Sequence, residues 1–133
     1  MIIMENTLLA PVSAGELADK ITVLQIKSEH IQDMQKKKNV DTEKDLLMKV
    51  FAQAIPQTDE LLETLNKLKA VNQEIWDLSD KIHECERKST CTEDDFVHYR
   101  VIHTKNDERF AIKKQINALA KSEIIEEKSY EGH

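Results

Sequence analysis

Glycine and proline each occur only twice in 133 residues. Turns, hairpins and sheet edges draw on both, so their scarcity beside 33% charged residues argues against a turn-rich β architecture and predicts long helices. With only Gly15 and Gly132 available, the glycine-rich loops of P-loop and dinucleotide-binding folds are excluded. The cysteines are as few. Cys85 and Cys91, with no second pair, make neither a zinc ribbon nor a C-x-x-C redox motif. No apolar run approaches the ~20 residues needed to cross a bilayer. The opening MIIMENTLLAPV is short and lacks a basic start, so it is expected to form an extended or docked arm. Two cysteines without a leader point to a reducing cytoplasm. A basic surface is also lacking. Nineteen Lys and Arg against 25 Asp and Glu give a net charge of −6, which disfavours nucleic acid as a partner. No basic amphipathic face is present to bind a membrane surface. Lys36, Lys37 and Lys38 form the one basic run and are expected to be a solvated helix end, where cations complement the helix dipole.

What the chain does contain is helical periodicity. Ser13 followed by Glu16 has capping-box spacing, and Leu17, Ile21, Leu24, Ser28 and Ile31 follow as one stripe. This predicts a first helix that runs until Lys36–Asn39. A shorter second helix is expected from a cap at Asp41 or Thr42, carrying Leu46, Leu47, Val50 and Phe51 and stopping before Pro56. Thr58 or Asp59 caps a third helix of roughly eight turns. Its heptad-like seam is Leu61, Leu65, Leu68, Asn72, Ile75, Ser79 and Ile82. KSTCTEDD marks a break, and a fourth helix runs through Phe96 and Phe110 to about Lys121. Three long helices and one shorter helix, joined by tight breaks, imply an all-α antiparallel helical bundle. The length suits a single domain over residues 1–133, with an irregular N-terminal arm (1–12) and C-terminal tail (122–133).

Several polar residues fall on rows that should face a core. Asn72 lies mid-seam, where a buried amide fixes register if it finds a partner. Ser28 and Ser79 can bond their own helix backbone. On the fourth helix the row Ile102, Asn106, Arg109, Lys113, Ile116, Ala120 is polar in its middle. If Arg109 and Lys113 are buried, each needs a carboxylate, because an unpaired buried charge is too costly to keep. Glu16, Asp19, Glu29, Asp77 and Asp80 are available. Alternatively, both side chains snorkel at the edge. A second apolar row, Val97, Val101, Ile112 and Leu119, makes the fourth helix apolar on two sides, and Trp76 with Ile75 and Leu78 broadens the third. Such a helix either sits centrally or meets a partner chain, so a homodimer is plausible.

No catalytic or metal constellation is evident. Di-metal bundles need Glu-x-x-His pairs on facing helices, and the nearest match, Asp95-x-x-His98, occurs once. HECE, from His83 to Glu86, places its donors on different sides of a helix and reads as a solvated cluster. His83 and Cys85 are two apart and point away from each other.

The blocks GELADKITVLQIKSEHI (15–31), VNQEIWDLSDKI (71–82), NDERFAIKKQIN (106–117) and SEIIEEKSY (122–130) carry a resemblance. In this order they resemble a family of small all-helical bacterial proteins of unknown function. The likeness spans most of the chain, departs at Ala18, where the family favours a larger apolar residue, and leaves out CTEDD. It implies no activity. It does place Glu16, Asp19, Lys20, Lys27, Glu29, Asn72, Trp76, Asn106, Asp107, Arg109 and Lys113, with Glu126, Glu127, Lys128 and Tyr130 near the end, within shared blocks, which points to a shared polar cluster.

Two functions follow from the sequence. The favoured one is a non-enzymatic, cytoplasmic interaction protein without cofactors, whose polar layer selects a packing register and whose partner is another polypeptide or a second copy. The alternative is a protein that binds or converts an anionic small molecule in a cationic pocket. There Arg109, Lys113 and Lys20 would hold a carboxylate or phosphate, with Asn72, Asn106 and Asn117 orienting it and Glu16 or Glu29 as a base.

Overall fold

A computed structural model describes residues 6–129, so the first five residues of the arm and the last four of the tail, Tyr130 among them, lie outside the described residues. The first helix, α1 (Ala14–His30), starts where the spacing of Ser13 and Glu16 predicts, with Ser13 Oγ accepting from the Glu16 amide at 3.0 Å. It does not continue to Lys36–Asn39. The chain leaves helical geometry at Ile31, and α2 (Met34–Ala54) begins behind Asp33, whose carboxylate accepts from the Lys36 amide at 2.9 Å. Asp41 and Thr42 are therefore not caps. Thr42 Oγ1 donates back to the Lys38 carbonyl (2.8 Å), while Asp41 accepts from Ser28 Oγ at 2.6 Å. Ser28 bonds across the reversal rather than to its own helix.

That contact explains the early turn. Lys37 Nζ donates to the Ser28 carbonyl at 2.8 Å, so a cation in the first turn of α2 satisfies a free carbonyl in the last turn of α1. The lysine run opens a helix instead of ending one. The Ser28 hydroxyl holds the Asp41 carboxyl below its ordinary 3.8 and outweighs the opposing effect of burial, with Lys44 assisting. The shorter element is consequently α1, at 17 residues, and not α2, at 21.

Thr58 caps α3 (Asp59–Lys88), its Oγ1 accepting from the Leu61 amide at 3.1 Å. Ser89 closes that helix in the left-handed conformation at φ 54°. A single 3-10 turn, Glu93–Asp95, leads into α4 (Phe96–Ala120), which ends at Lys121 with φ 55°. Cys85 and Cys91 are joined by a disulfide across this loop, so cysteine usage lends no support to a reducing compartment. Among the described residues there is no strand, and no helix is long and apolar enough to cross a membrane.

The helices pack around α1, which lies against each of the other three. Leu17, Ala18 and Ile21 of α1 meet Phe51 of α2, Leu61 and Leu68 of α3 and Ile116 of α4 in one buried cluster. Ile112 packs on its edge, so the second apolar row of α4 is not one continuous outer face: Val97 is exposed, while Val101 and Leu119 are half-buried. α4 crosses α1 closely enough that a Cβ on Gly15 would stand 2.5 Å from the Lys113 carbonyl oxygen and 2.9 Å from Asn117 Oδ1.

Gly15→Ala tests this approach. Alanine would gain up to ~1 kcal/mol of helix propensity. The clash is with backbone, which cannot swing aside, and overpacking of this kind costs about 1–3 kcal/mol. Urea denaturation is expected to show net destabilisation. A more stable Gly15→Ala protein would mean that the two helices are not in contact here.

Candidate functional site

Asp19 is the buried centre of the polar residues. Its side chain is 4% exposed, and one carboxylate receives three donors from two helices. Arg109 of α4 donates Nε to Oδ1 at 2.8 Å and Nη2 to Oδ2 in a bidentate fork. Asn72 of α3 donates Nδ2 to Oδ1 at 2.9 Å and also to Thr22 Oγ1 at 2.8 Å. Thr22 Oγ1 in turn donates to the Asp19 carbonyl at 2.8 Å. The seam position of Asn72 and the core-row position of Arg109 thus meet on α1. The paired carboxylate pushes the guanidinium pKa up, against burial, which lowers it.

One turn earlier, Lys113 Nζ donates to Glu16 Oε2 at 2.6 Å. Glu16 therefore faces α4 and does not close the capping box expected of it. The free amides at the start of α1 are satisfied by other groups. Ser13 takes the Glu16 amide, Asn117 Oδ1 takes the Gly15 amide at 2.6 Å, and Ser122 Oγ takes the Ala14 amide at 3.3 Å. Asn117 Nδ2 then donates to Glu126 Oε2 at 2.9 Å, and Ser13 Oγ donates to Glu126 Oε1. The tail therefore folds back and sets a carboxylate at the positive end of α1, where the dipole favours it. Pairings of Gly15 with Asn117, Glu16 with Lys113 and Asp19 with Arg109 climb one helix as they descend the other.

Beside this layer a groove of about 810 Å³ opens along α4, lined by His103, Asn106, Asp107, Arg109, Phe110 and Lys113, with Lys128 of the tail on its rim. Lys114 and Lys128 each place Nζ 5.1 Å from the Phe110 ring centre. Lys114 pairs with Glu127 at 2.9 Å and Lys128 with Asp107 at 2.6 Å. Asn106 lines the groove, and no hydrogen bond of its side chain is seen among the described residues.

The remaining sequence candidates lie elsewhere. Lys20 points to the outer side of α1 and pairs with Glu43 of α2 at 3.1 Å, away from Arg109 and Lys113. Glu29 pairs with Lys69 at 2.8 Å on the surface, which holds its carboxyl below the ordinary range. Trp76 stands 5.2 Å from the His30 ring, and its buried Nε1 has no partner among the described residues. Asn72 and Asn117 are consumed by the layer and the helix start and do not reach the groove. The shared block SEIIEEKSY had already marked Glu126 and Lys128, whereas sequence reasoning missed Thr22 and the contact role of Gly15. Gly15 carried the one available signal, as a glycine inside a helix start in a chain almost without glycine.

A family model for a family of unknown function (DUF6165) matches residues 8–133, and the chain belongs to that family. No curated protein and no solved structure matches.

Arg109→Met would leave the Asp19 carboxylate buried with only the Asn72 amide, a change that typically costs about 3–5 kcal/mol. Adding Asp19→Asn removes the orphaned charge and is expected to restore part of that loss in chemical denaturation. A loss below about 1 kcal/mol for Arg109→Met, the range of an exposed pair, would show that the layer does not hold the helices together.

Proposed function

We propose that this member of the DUF6165 family acts by binding, and that the groove beside Arg109 receives the carboxylate or phosphate of a small molecule. The observation that supports this most is how Arg109 is held. Asp19 engages two of its five N–H groups from the buried side. The guanidinium lines the groove in a fixed position, with further donors left over.

Lys113 can join it. The Lys113 side chain is 14% exposed but that of its partner Glu16 is 48% exposed, so the carboxylate can swing into water and leave the lysine to an incoming anion. Lys128 adds a third cation at the groove's rim, in a chain whose net charge is −6. A cytoplasmic location suits a ligand of this kind.

Thermal unfolding in inorganic phosphate and in citrate, against chloride at matched ionic strength, tests the reading. A ligand at a hundred times its Kd stabilises the native state by about 2.7 kcal/mol. Saturable stabilisation is expected for the wild type and for Lys20→Met, whose lysine lies on another face, and a much reduced one for Lys113→Met. No shift, or equal shifts in Lys113→Met, would overturn it.

A second reading, a non-enzymatic interaction protein that binds itself or another polypeptide, is favoured by a different observation. Leu8 is 96% and Leu9 78% exposed on the arm, and Phe96 and Val97 are exposed on α4. Sedimentation velocity is expected to show a concentration-dependent dimer that Leu9→Glu or Val97→Glu weakens. A wild-type protein that stays monomeric at all concentrations would exclude self-association. Ile112 is unsuited to this test because it packs on the core.

A further inference from the structure

The end of α3, the loop after it and the first turn of α4 bring together donors that the groove does not use. Cys85 is buried in the last turn of α3, Cys91 is exposed in the loop, and Asp95 and His98 follow at the start of α4. The ligand atoms of Cys85, Cys91 and Asp95 all lie within 4.8 Å of one another. Asp95 is already oriented, because Oδ2 accepts from the Thr92 amide at 2.7 Å. Its Oδ1 stands 3.6 Å from His98 Nδ1. That distance is too long for a hydrogen bond. The Nδ1 atom is buried and has no hydrogen-bond partner among the described residues. A buried ring nitrogen without a partner calls for an explanation. Two sulfurs, one carboxylate oxygen and one imidazole nitrogen form a donor set suited to tetrahedral zinc.

We propose that Cys85, Cys91, Asp95 and His98 form a site for a zinc-like divalent cation, which the Cys85–Cys91 disulfide closes and its reduction opens. The reductant is a dithiol. One of its thiolates attacks one protein sulfur, forming a mixed disulfide and releasing the other cysteine, and its second thiol then displaces the attacked cysteine as the reductant closes into its own disulfide. Two electrons pass to the protein, and two protons accompany them, one to each cysteine. The cation then forms two metal–sulfur bonds and releases those two protons to solvent. Asp95 joins as a carboxylate. His98 joins through the Nδ1 lone pair, its proton resting on Nε2.

The loop can accommodate this change. Tetrahedral ligation at ~2.3 Å requires the sulfurs to separate to about 3.8 Å. Cys91 is on the exposed side and free to move outward, whereas Cys85 is fixed in α3. The Thr90 amide, donating to the Cys85 carbonyl at 2.9 Å, keeps the loop folded over the helix end. A shallow depression that includes Cys85, Asp95 and His98 opens the site to solvent.

The test uses the full chain, reduced with dithiothreitol and desalted without oxygen. Zinc uptake is measured by competition with a chromogenic chelator. Cobalt substitution is read by its thiolate charge-transfer and tetrahedral ligand-field bands. The reduced protein is expected to take up one equivalent and the oxidised protein none. Cys91→Ser is expected to abolish uptake, and its helical circular dichroism should match the wild type because Cys91 is exposed. His98→Ala is expected to weaken uptake about 100-fold or more, at least the cost of losing an outer-shell partner. Equal uptake by the oxidised protein or by Cys91→Ser overturns the proposal, as does unchanged affinity in His98→Ala.

Discussion

A carboxylate removed from water is the constraint around which this bundle is arranged. Asp19 lies buried on the central helix, where a carboxylate is costly unless donors reach it from outside α1. Arg109 supplies two and Asn72 a third, so one buried charge links three helices. An apolar seam tolerates sliding by a turn at modest cost, because one leucine resembles the next. A forked guanidinium does not, since a one-turn slip would strand both charges. The heptad-like row of α3 supplies the attraction and the Asp19 layer supplies the register.

The same helix start shows a second dependence. The amides of Ala14, Gly15 and Glu16 are satisfied by Ser122, Asn117 and Ser13. Two of those three groups come from the far end of the chain, more than a hundred residues away. Glu126 then fastens the tail through Asn117 and Ser13. Gly15 permits the crossing that brings Asn117 within reach. The tail is thus part of the helix cap and also supplies the lysine that rims the groove. The groove is a consequence of this packing: Asp19 fixes Arg109, the tail places Lys128, and both Lys114 and Lys128 approach the Phe110 ring. Ligand capture and tail docking would draw on the same cations.

Much of this was legible in the residues. The scarcity of glycine and proline and the three-and-four spacing of leucines indicate helices, and Ser13 and Thr58 mark two of their starts. The polar middle of the α4 row and the seam position of Asn72 point to a buried polar layer. The α1–α2 boundary was misjudged for a physical reason. Ile31 continues the apolar stripe, so periodicity alone carries the helix onward. The reversal is held by Asp33 as a cap and by Ser28, Asp41 and Lys37 bonding across it. Those bonds exist only once two helices lie side by side.

Local sequence, then, determined which segments coil, because helix formation depends on neighbours within a few residues. It also determined that some charges would fall on inward rows. Only the tertiary structure decided which carboxylate each cation meets. Asp19 was one of five available partners for Arg109, and Lys20 stands in the same block as Glu16 yet faces away toward Glu43. Pairing depends on crossing angle and close approach, here permitted by the absence of a single Cβ at Gly15. The joining of Cys85 to Cys91 was settled in the same way, by a left-handed turn at Ser89 that folds the loop over the helix end. Distances of this kind follow from three-dimensional packing, which the order of residues along the chain does not specify locally.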